Sequence, residues 1–245
     1  MTTPQQRAVD VRALVALEPT QGEPGTVAGW LHQLCTAVVR RLPASGAAVT
    51  VMTDSGVGAV VAASDAVARS LVDLQLLVGE GPCPDAHAWR APVLQPHLDA
   101  RVAHRWPAYT PAALALGAAA VFALPLQIGA ARLGVLEIHR IEPGSLTPTA
   151  LSLALTFAEV ALDALLDGQA RSDRDHPSDG AGLALGLDQQ YAVYQAQGMV
   201  TVDLGIPLAD AMARLRAHAF ATDRRLAEVA ADVVAGRLTL PPDDR

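Results

Sequence analysis

The residues whose side chains are best suited to bind a ligand or to react lie in one segment, 79–110, which Gly and Pro residues interrupt. Cys83 and His87 are four residues apart in GEGPCPDAHA, and His97 and His104 follow. A thiol and imidazoles that converge can bind a small ligand or a metal ion. Single Cys and His residues at irregular spacing are equally compatible with buried or surface packing. We predict a ligand pocket at Cys83, His87 and His97 beneath a mobile segment, and no metal site.

No catalytic motif accompanies this segment. The chain lacks GxSxG and HExxH, and a phosphate-binding GxxxxGK[ST] loop is impossible because all 18 basic residues are Arg. The two cysteines exclude a disulfide framework and a Cys-rich zinc site, and they suit a reducing cytoplasm. A thiol reductase would need a second cysteine near Cys83, whereas Cys35 lies in an apolar helical stretch. We therefore expect no catalytic residues and no enzymatic activity.

A cluster of arginines near the C-terminus is the second candidate site. It consists of Arg214, Arg216, Arg224 and Arg225. The planar guanidinium group suits phosphate oxygens and the guanine edge. The alternative is a solvated helix face that pairs with acidic neighbours such as Asp210, Asp223 and Glu228.

The helix-like stretch YAVYQAQGMV carries a glycine in its middle. Such a glycine costs about 1 kcal/mol relative to alanine. Gly198 therefore indicates close approach of another backbone or of a ligand, and neighbouring Tyr and Gln side chains suit contacts with unpaired bases. A small residue at a helix crossing is the alternative.

Composition limits the remaining possibilities. The chain has 245 residues, of which 51% are hydrophobic and 18% charged, and this is typical of a globular protein. A formal net charge of −7 excludes a broadly basic nucleic-acid coat but allows a local basic patch. The uncharged stretch 111–131 is rich in Ala and Gly and broken by Pro125. It predicts a helix end, a strand and a turn rather than a membrane span.

Hydrophobic periodicity predicts an α+β protein with two folded units. A leader spans 1–25, a helix–sheet–helix domain spans 26–167, and a charged, Gly-rich linker spans 168–186. Three helices within 187–240 and a tail at 241–245 complete the chain. Two strand pairs are predicted in the first unit, AAVTVMT with AVVAAS, and AVFALPLQ with RLGVLEIH.

Two helices of the first unit carry apolar residues at alternating spacings of four and three. Leu31 and Leu34 lie in the first of these stripes, and Leu155 and Leu162 lie in the second. Such stripes are typical of helix–helix interfaces. We predict a homodimer in which these four residues lie at the two-fold interface.

The C-terminal segment resembles the ANTAR domain of bacterial transcription antitermination regulators. The resemblance covers about 188–240 and rests on QAQGMV and on LGIPLADAMARLRAHAFATDRRLAEVAADVV. One departure is Gln197, where many ANTAR sequences have Lys. The preceding unit resembles the GAF domain that is fused to ANTAR in actinobacterial proteins. That resemblance rests on VGEGPCPDAHA, RWPAYTPAAL, VFALPLQIGAARLGVLEIHR and PGSLTP, across about 25–167.

The resemblance implies a sensory GAF domain followed by a three-helix RNA-binding ANTAR module. It implies binding to RNA stem-loops and a role in antitermination, with no cofactor or ligand carried over. The residues predicted to contact RNA are Ala196, Gln197, Gly198, Arg214, Arg216, Arg224 and Arg225. The alternative function is a small-molecule or redox sensor that acts through protein partners, with a degenerate RNA-binding module. In either case we expect a cytoplasmic protein without a membrane partner.

Overall fold

The computed structural model of the protein describes residues 3–19, 25–53, 58–175 and 187–241. Its helices are α1 (Pro4–Ala16), α2 (Val27–Arg41), α3 (Ala66–Val78), α4 (Pro82–Trp89), α5 (Tyr109–Ala115), α6 (Pro148–Asp175), α7 (Leu187–Leu204), α8 (Leu208–Ala221) and α9 (Leu226–Val234). Its strands are β1 (Gly46–Met52), β2 (Gly58–Ala63), β3 (Val93–Gln95), β4 (Ala120–Ile128) and β5 (Ala131–Arg140). The organisation confirms the predicted α+β class.

The strands form one antiparallel sheet in the order β2-β1-β5-β4-β3. Both predicted strand pairs are present, β1 with β2 and β4 with β5. β5 is the central strand, since it pairs with β1 on one side and β4 on the other. Its alternation directs Leu136 and Ile138 to one face, and Val135 and Glu137 to the other.

Helices α1, α2 and α6 cover the first face of the sheet. Leu31 and Leu34 of α2 are completely buried there, together with Phe157 and Leu165 of α6. The apolar stripes of α2 and α6 therefore contribute to one core within a single chain. This packing uses most of the surface that the sequence assigned to a dimer interface.

The N-terminal segment forms a packed helix, whereas the sequence predicted a loosely attached leader. Thr3 caps α1 by accepting a hydrogen bond from the Gln6 amide, and Val11 and Val15 are buried against α2 and α6. An ion pair joins Arg12 to Asp163 of α6. The buried face consists of Val11 and Val15, whereas the apolar Val9 and Leu17 are exposed. Apolar residues thus lie on both faces of this segment, so the helical period is weak in the sequence.

Helices α3, α4 and α5 cover the second face of the sheet. The segment 79–110, which Gly and Pro interrupt in the sequence, contains α4, the edge strand β3 and the start of α5. Two of the residues that interrupt the segment lie at helix ends. Gly79 ends α3 with a φ of +75°, and Pro82 begins α4.

The three C-terminal helices pack around a core of their own, and all three lie within the predicted range 187–240. Val193, Ala196, Leu215 and Val229 are among the buried residues of this bundle. Leu77 of α3 packs against the same core from outside. Of the predicted linker, residues 168–175 continue α6, and 176–186 lie outside the described residues.

Among the described residues, one helical stretch, Pro148–Gly168, is long and apolar enough to cross a membrane. Half of its most apolar window is buried inside the protein. Buried core helices of folded domains share this composition, and Phe157, Val160 and Leu165 of this stretch belong to the first core.

Candidate functional site

A closed cluster of polar side chains lies on the second face of the sheet. Gln75, Cys83, Glu137 and Tyr109 come from α3, α4, β5 and α5, and each is at most 2% exposed. One carboxylate oxygen of Glu137 accepts a hydrogen bond from Gln75 Nε2 at 2.5 Å and another from Cys83 Sγ at 3.0 Å. The amide group of Gln75 also accepts the Cys83 backbone N–H at 2.7 Å. We refer to these four residues as the polar cluster.

The turn between α3 and α4 brings two of these side chains together. Gly81 has a φ of +136°, and a Cβ there would lie 2.5 Å from Cγ of Gln75. Only glycine permits both this conformation and this approach. The turn thereby places the backbone N–H of Cys83 against the Gln75 side chain.

Tyr109 is held in place from the other end of the same turn. One carboxylate oxygen of Glu80 accepts the backbone N–H of Ala108 at 2.6 Å and that of Tyr109 at 3.0 Å, which satisfies two amides at the start of α5. The Tyr109 hydroxyl and the second oxygen of Glu137 have no hydrogen-bond partner among the described residues. Buried polar atoms without partners are rare, and they mark this cluster as a place where a ligand can add bonds.

Burial controls the charge of the cluster. It raises the pKa of Glu137, although hydrogen bonds from Cys83 and Gln75 oppose this effect. Burial also raises the pKa of Cys83 well above the usual thiol value, and the adjacent Glu137 adds to the increase. The thiol is therefore the stable form of Cys83, and a thiol is a weak nucleophile. The arrangement suits hydrogen-bonding recognition of a small molecule rather than thiolate chemistry.

The two cysteines lie on opposite faces of the sheet. Cys83 lies in the core on the second face of the sheet, whereas Cys35 lies in the core on the first face. Burial there raises the pKa of the Cys35 thiol to about 12. The described residues thus provide no second thiol beside Cys83, as a disulfide-forming reductase requires.

Replacing Glu137 by Gln is expected to reduce the pH dependence of stability. Because the folded-state pKa of Glu137 lies above its ordinary value near 4.5, the folded protein binds a proton more tightly than the unfolded chain. The free energy of unfolding of the wild type therefore decreases as the pH rises above about 4.5 and through the folded-state pKa. In the Glu137→Gln variant the side chain at position 137 does not titrate, so the free energy of unfolding of the variant should change less over this pH range.

Urea unfolding at about pH 5 and about pH 8 measures this difference. The exposed carboxylate of Glu142 provides the control, since Glu142→Gln should retain the slope of the wild type. An equally steep slope in Glu137→Gln would contradict the assignment of this titration to Glu137.

Comparison with solved structures identifies the fold of the domain that holds the polar cluster. The GAF domain of a phosphoenolpyruvate-protein phosphotransferase from Coxiella burnetii superposes with a TM-score of 0.52 at 18% identity, covering 69% of this chain and 96% of that one. The first domain has the GAF fold. The GAF domain of the Acinetobacter phosphoenolpyruvate-protein phosphotransferase gives a TM-score of 0.49 at 10% identity, covering 71% and 99%. No protein-family model and no curated protein matches the sequence.

The predicted ligand residues occupy different environments within the GAF domain. Cys83 belongs to the polar cluster. His87 lies one turn later on α4, is buried, and its Nε2 contacts the backbone oxygen of Thr53 at 3.1 Å. His97 is exposed after β3, so the structure does not bring it to the cluster. No group of three potential metal-binding side chains was found among the described residues.

Sequence reasoning missed Gln75, Glu137 and Tyr109. A signal for Glu137 was available, because it is the only carboxylate in the strand RLGVLEIH and lies on the same face as the buried Val135. A charged residue on an apolar strand face is expected to have a dedicated partner. No comparable pattern distinguishes Gln75 or Tyr109.

The segment predicted to be a mobile cover is tied together by a polar and aromatic clamp. The guanidinium carbon of Arg105 lies 4.6 Å from the ring centre of Trp89 and 4.3 Å from that of Trp106. Asp85 accepts hydrogen bonds from Arg105 at 2.8 Å and from the Trp106 indole at 3.0 Å. The clamp joins α4 to residues 105 and 106. The mobility of 79–110 stays a prediction, which hydrogen exchange can test.

The predicted RNA-contacting residues of α7 have contrasting surroundings. Ala196 is completely buried in the bundle core, which corrects its assignment as a contact residue: its methyl group packs between the helices. Gln197 donates a hydrogen bond to the Leu208 carbonyl at 2.8 Å. A Cβ added to Gly198 would meet no described atom within 4 Å, so no helix crossing within the described chain explains this glycine.

The predicted arginines all have intramolecular contacts. Arg214 donates to the Pro241 carbonyl at 2.9 Å, and Arg224 pairs with Asp232 at 2.5 Å. Arg225 and Arg216 are partly exposed and contact the GAF domain, and these contacts are described below. The acidic neighbour predicted for this face is therefore present for Arg224, but as Asp232.

Of the four residues predicted at a dimer interface, Leu31, Leu34 and Leu162 are buried within one chain. Leu155 of α6 is 38% exposed and is available for contact with a second chain. The homodimer stays a prediction, and Leu155 is the residue through which it can be tested.

Proposed function

We propose that this protein is a ligand-responsive RNA-binding regulator. In this proposal the GAF domain senses a small molecule, and the C-terminal bundle is an ANTAR module that binds RNA stem-loops and acts in transcription antitermination. The resemblance of QAQGMV and of the following helices to ANTAR sequences supports the second part. The polar cluster supports the first.

The observation that carries the proposal is that α3 contacts both units. Gln75 of α3 binds Glu137 and Cys83 inside the GAF domain. Two residues away in each direction, Asp73 pairs with Arg225 of the bundle and Leu77 packs on the bundle core. A ligand that rearranges Gln75 acts on the same rigid helix that supports the bundle, and such a shared element can couple two sites.

Gly198 supports a surface that another molecule approaches closely. A helical glycine is costly, and the open space beside it shows no compensating contact within the described chain. A backbone left uncovered in this way allows bases or phosphates to lie against α7. Arg214 and Arg224 provide guanidinium groups on the same bundle, and phosphate oxygens could replace their present partners, the Pro241 carbonyl and the Asp232 carboxylate.

A sensor that acts through a protein partner is the second candidate. Three large apolar side chains of the bundle are exposed: Val202 at 80%, Leu208 at 57% and Phe220 at 65%. Exposed apolar residues favour protein contacts over contacts with a polyanion when they form one patch.

Selection from a random hairpin RNA pool, using the full chain at a stated salt concentration, tests the proposed function. We expect enrichment of stem-loops, and we expect Arg214→Ala to weaken binding of the selected hairpin. Arg101→Ala on the exposed surface of the GAF domain is the matched control and should leave binding unchanged.

The salt dependence of the RNA affinity separates contacts with phosphates from uncharged contacts with the RNA. If at most four arginines of each chain contact phosphates, the logarithm of the RNA affinity should decrease linearly with the logarithm of the salt concentration. The slope should be no steeper than about −3. Two results together would favour the second candidate. No hairpin would be enriched, and the protein would capture a defined protein partner whose binding Phe220→Ser abolishes.

A further inference from the structure

The bundle contacts the GAF domain through both polar and apolar side chains. Arg225 Nε lies 3.0 Å from a carboxylate oxygen of Asp73 on α3. The hydroxyl group of Tyr194 on α7 donates a hydrogen bond to the hydroxyl of Thr53, which follows β1. We call these contacts, together with those of Arg216 and Leu77, the docking contacts.

Arg216 lies against the C-terminal end of α3. A Cβ added to Gly79 would lie 2.6 Å from one terminal nitrogen of Arg216, so glycine at this position leaves the room that the guanidinium group occupies. The C-terminal end of a helix carries partial negative charge and attracts cations. The approach thus uses a positive charge of the bundle for an intramolecular contact.

We propose that this docked arrangement is a closed state that withholds Arg216 and Arg225 from RNA, and that RNA binding requires release of the bundle from α3. This inference rests on the proposed function. In the closed state the two arginines and α3 form contacts that phosphate oxygens would replace. RNA and the GAF domain therefore compete for the same face of the bundle.

Desolvation of charged groups makes the docking contacts weak enough to be reversible. The Nε group of Arg216 is buried and has no hydrogen-bond partner among the described residues, and burial lowers the pKa of this arginine. Burial also raises the pKa of Asp73, and this effect exceeds the opposing attraction of Arg225. The side chains of Arg225 and Asp73 are partly buried, with exposures of 40% and 23%, and desolvation offsets part of the attraction between them. The closed state is therefore favoured only modestly.

The docking contacts are connected to the polar cluster by two routes. The first is α3, which carries both Gln75 and Asp73. The second runs through Thr53, whose backbone oxygen contacts His87 of α4 and whose hydroxyl accepts from Tyr194. Movement of α3 or α4 around a ligand would therefore disturb the contacts that hold the bundle.

The test releases the bundle from the GAF side, which leaves every predicted RNA-contacting residue intact. One full-length variant combines Asp73→Asn with Thr53→Val, and a second carries Leu77→Asp. The matched control is Asp163→Asn, which removes the exposed ion pair with Arg12 on the opposite side of the sheet. Small-angle X-ray scattering measures release, and the hairpin selected with the wild-type protein measures RNA affinity.

We expect the released variants to have a larger radius of gyration and to bind the hairpin about tenfold more tightly than the wild type, because a larger fraction of the molecules is competent to bind. The Asp163→Asn control should match the wild type in both measurements. A larger radius without tighter binding would overturn the proposal. So would an unchanged radius in both variants, since the docking contacts would then not hold the bundle.

These outcomes are distinguishable from failure of the proposed function. If the hairpin binds the wild type and the released variants equally, RNA binding stands and only the closed state is wrong. If no hairpin binds the wild type or any released variant, the proposed function fails and the closed state fails with it.

Discussion

Gly134→Ala should destabilise the GAF domain by about 3 kcal/mol or more, the largest effect we expect from a single methyl group. Gly134 lies on β5, the central strand, and pairs with β1 and β4. A Cβ at this position would lie 1.8 Å from the backbone oxygen of Thr50. Backbone atoms in a central strand pair cannot move aside as a flexible side chain can, so the β1–β5 pairing must separate.

Thermal unfolding checks this expectation. A loss of about 3 kcal/mol corresponds to a decrease of about 6–12 °C in Tm for a protein of this size. Gly198→Ala is the matched control, because it adds the same methyl group where no described atom lies within 4 Å. A Tm of Gly134→Ala within one or two degrees of the wild type would show that the strands tolerate the overlap, contrary to the packing argument.

Gly198→Ala should change stability and RNA binding in opposite directions. Alanine is the better helix former by about 1 kcal/mol, so α7 should become more stable. If α7 contacts RNA at this position, the added methyl group prevents close approach and should weaken hairpin binding about tenfold, equivalent to about 1.4 kcal/mol.

Hydrogen exchange of α7 amides measures the first effect, and hairpin titration of the same variant measures the second. Increased protection with unchanged RNA affinity would remove Gly198 from the proposed RNA surface. Decreased protection would indicate that the glycine packs closely against another molecule, such as a second copy of the chain. The paired measurement thereby decides between the two interpretations that the sequence left open.

Much of the fold was predictable because its determinants are local. The strand pair RLGVLEIH and AVFALPLQ is recognisable from apolar alternation around a short turn, and the C-terminal helices from their apolar spacing. Helix α1 was not predictable in this way. Its buried face reduces to Val11 and Val15, which become meaningful only when α2 and α6 cover them.

The candidate site was predictable only in part. Cys83 and His87 stand out by residue type and lie in or beside the polar cluster, whereas His97 stands out equally and is exposed. Residue type shows what a side chain can bind but not which way it faces. Gln75 and Tyr109 are ordinary in composition and gain their roles from burial beside Glu137.

The sequence by itself determined the two antiparallel strand pairs, the division into a sheet domain and a helical bundle, and the glycines at the tight turns. These features follow from backbone preferences and from periodicity over a few residues. The tertiary structure alone decided which polar groups meet. Gln75 and Glu137 are 62 positions apart, and their hydrogen bond exists because α3 packs across β5. The same holds for Arg216, which looks like a free cation in the sequence. In the structure it lies beside Gly79 at the end of α3, because the bundle packs on the GAF domain there and buries its Nε group.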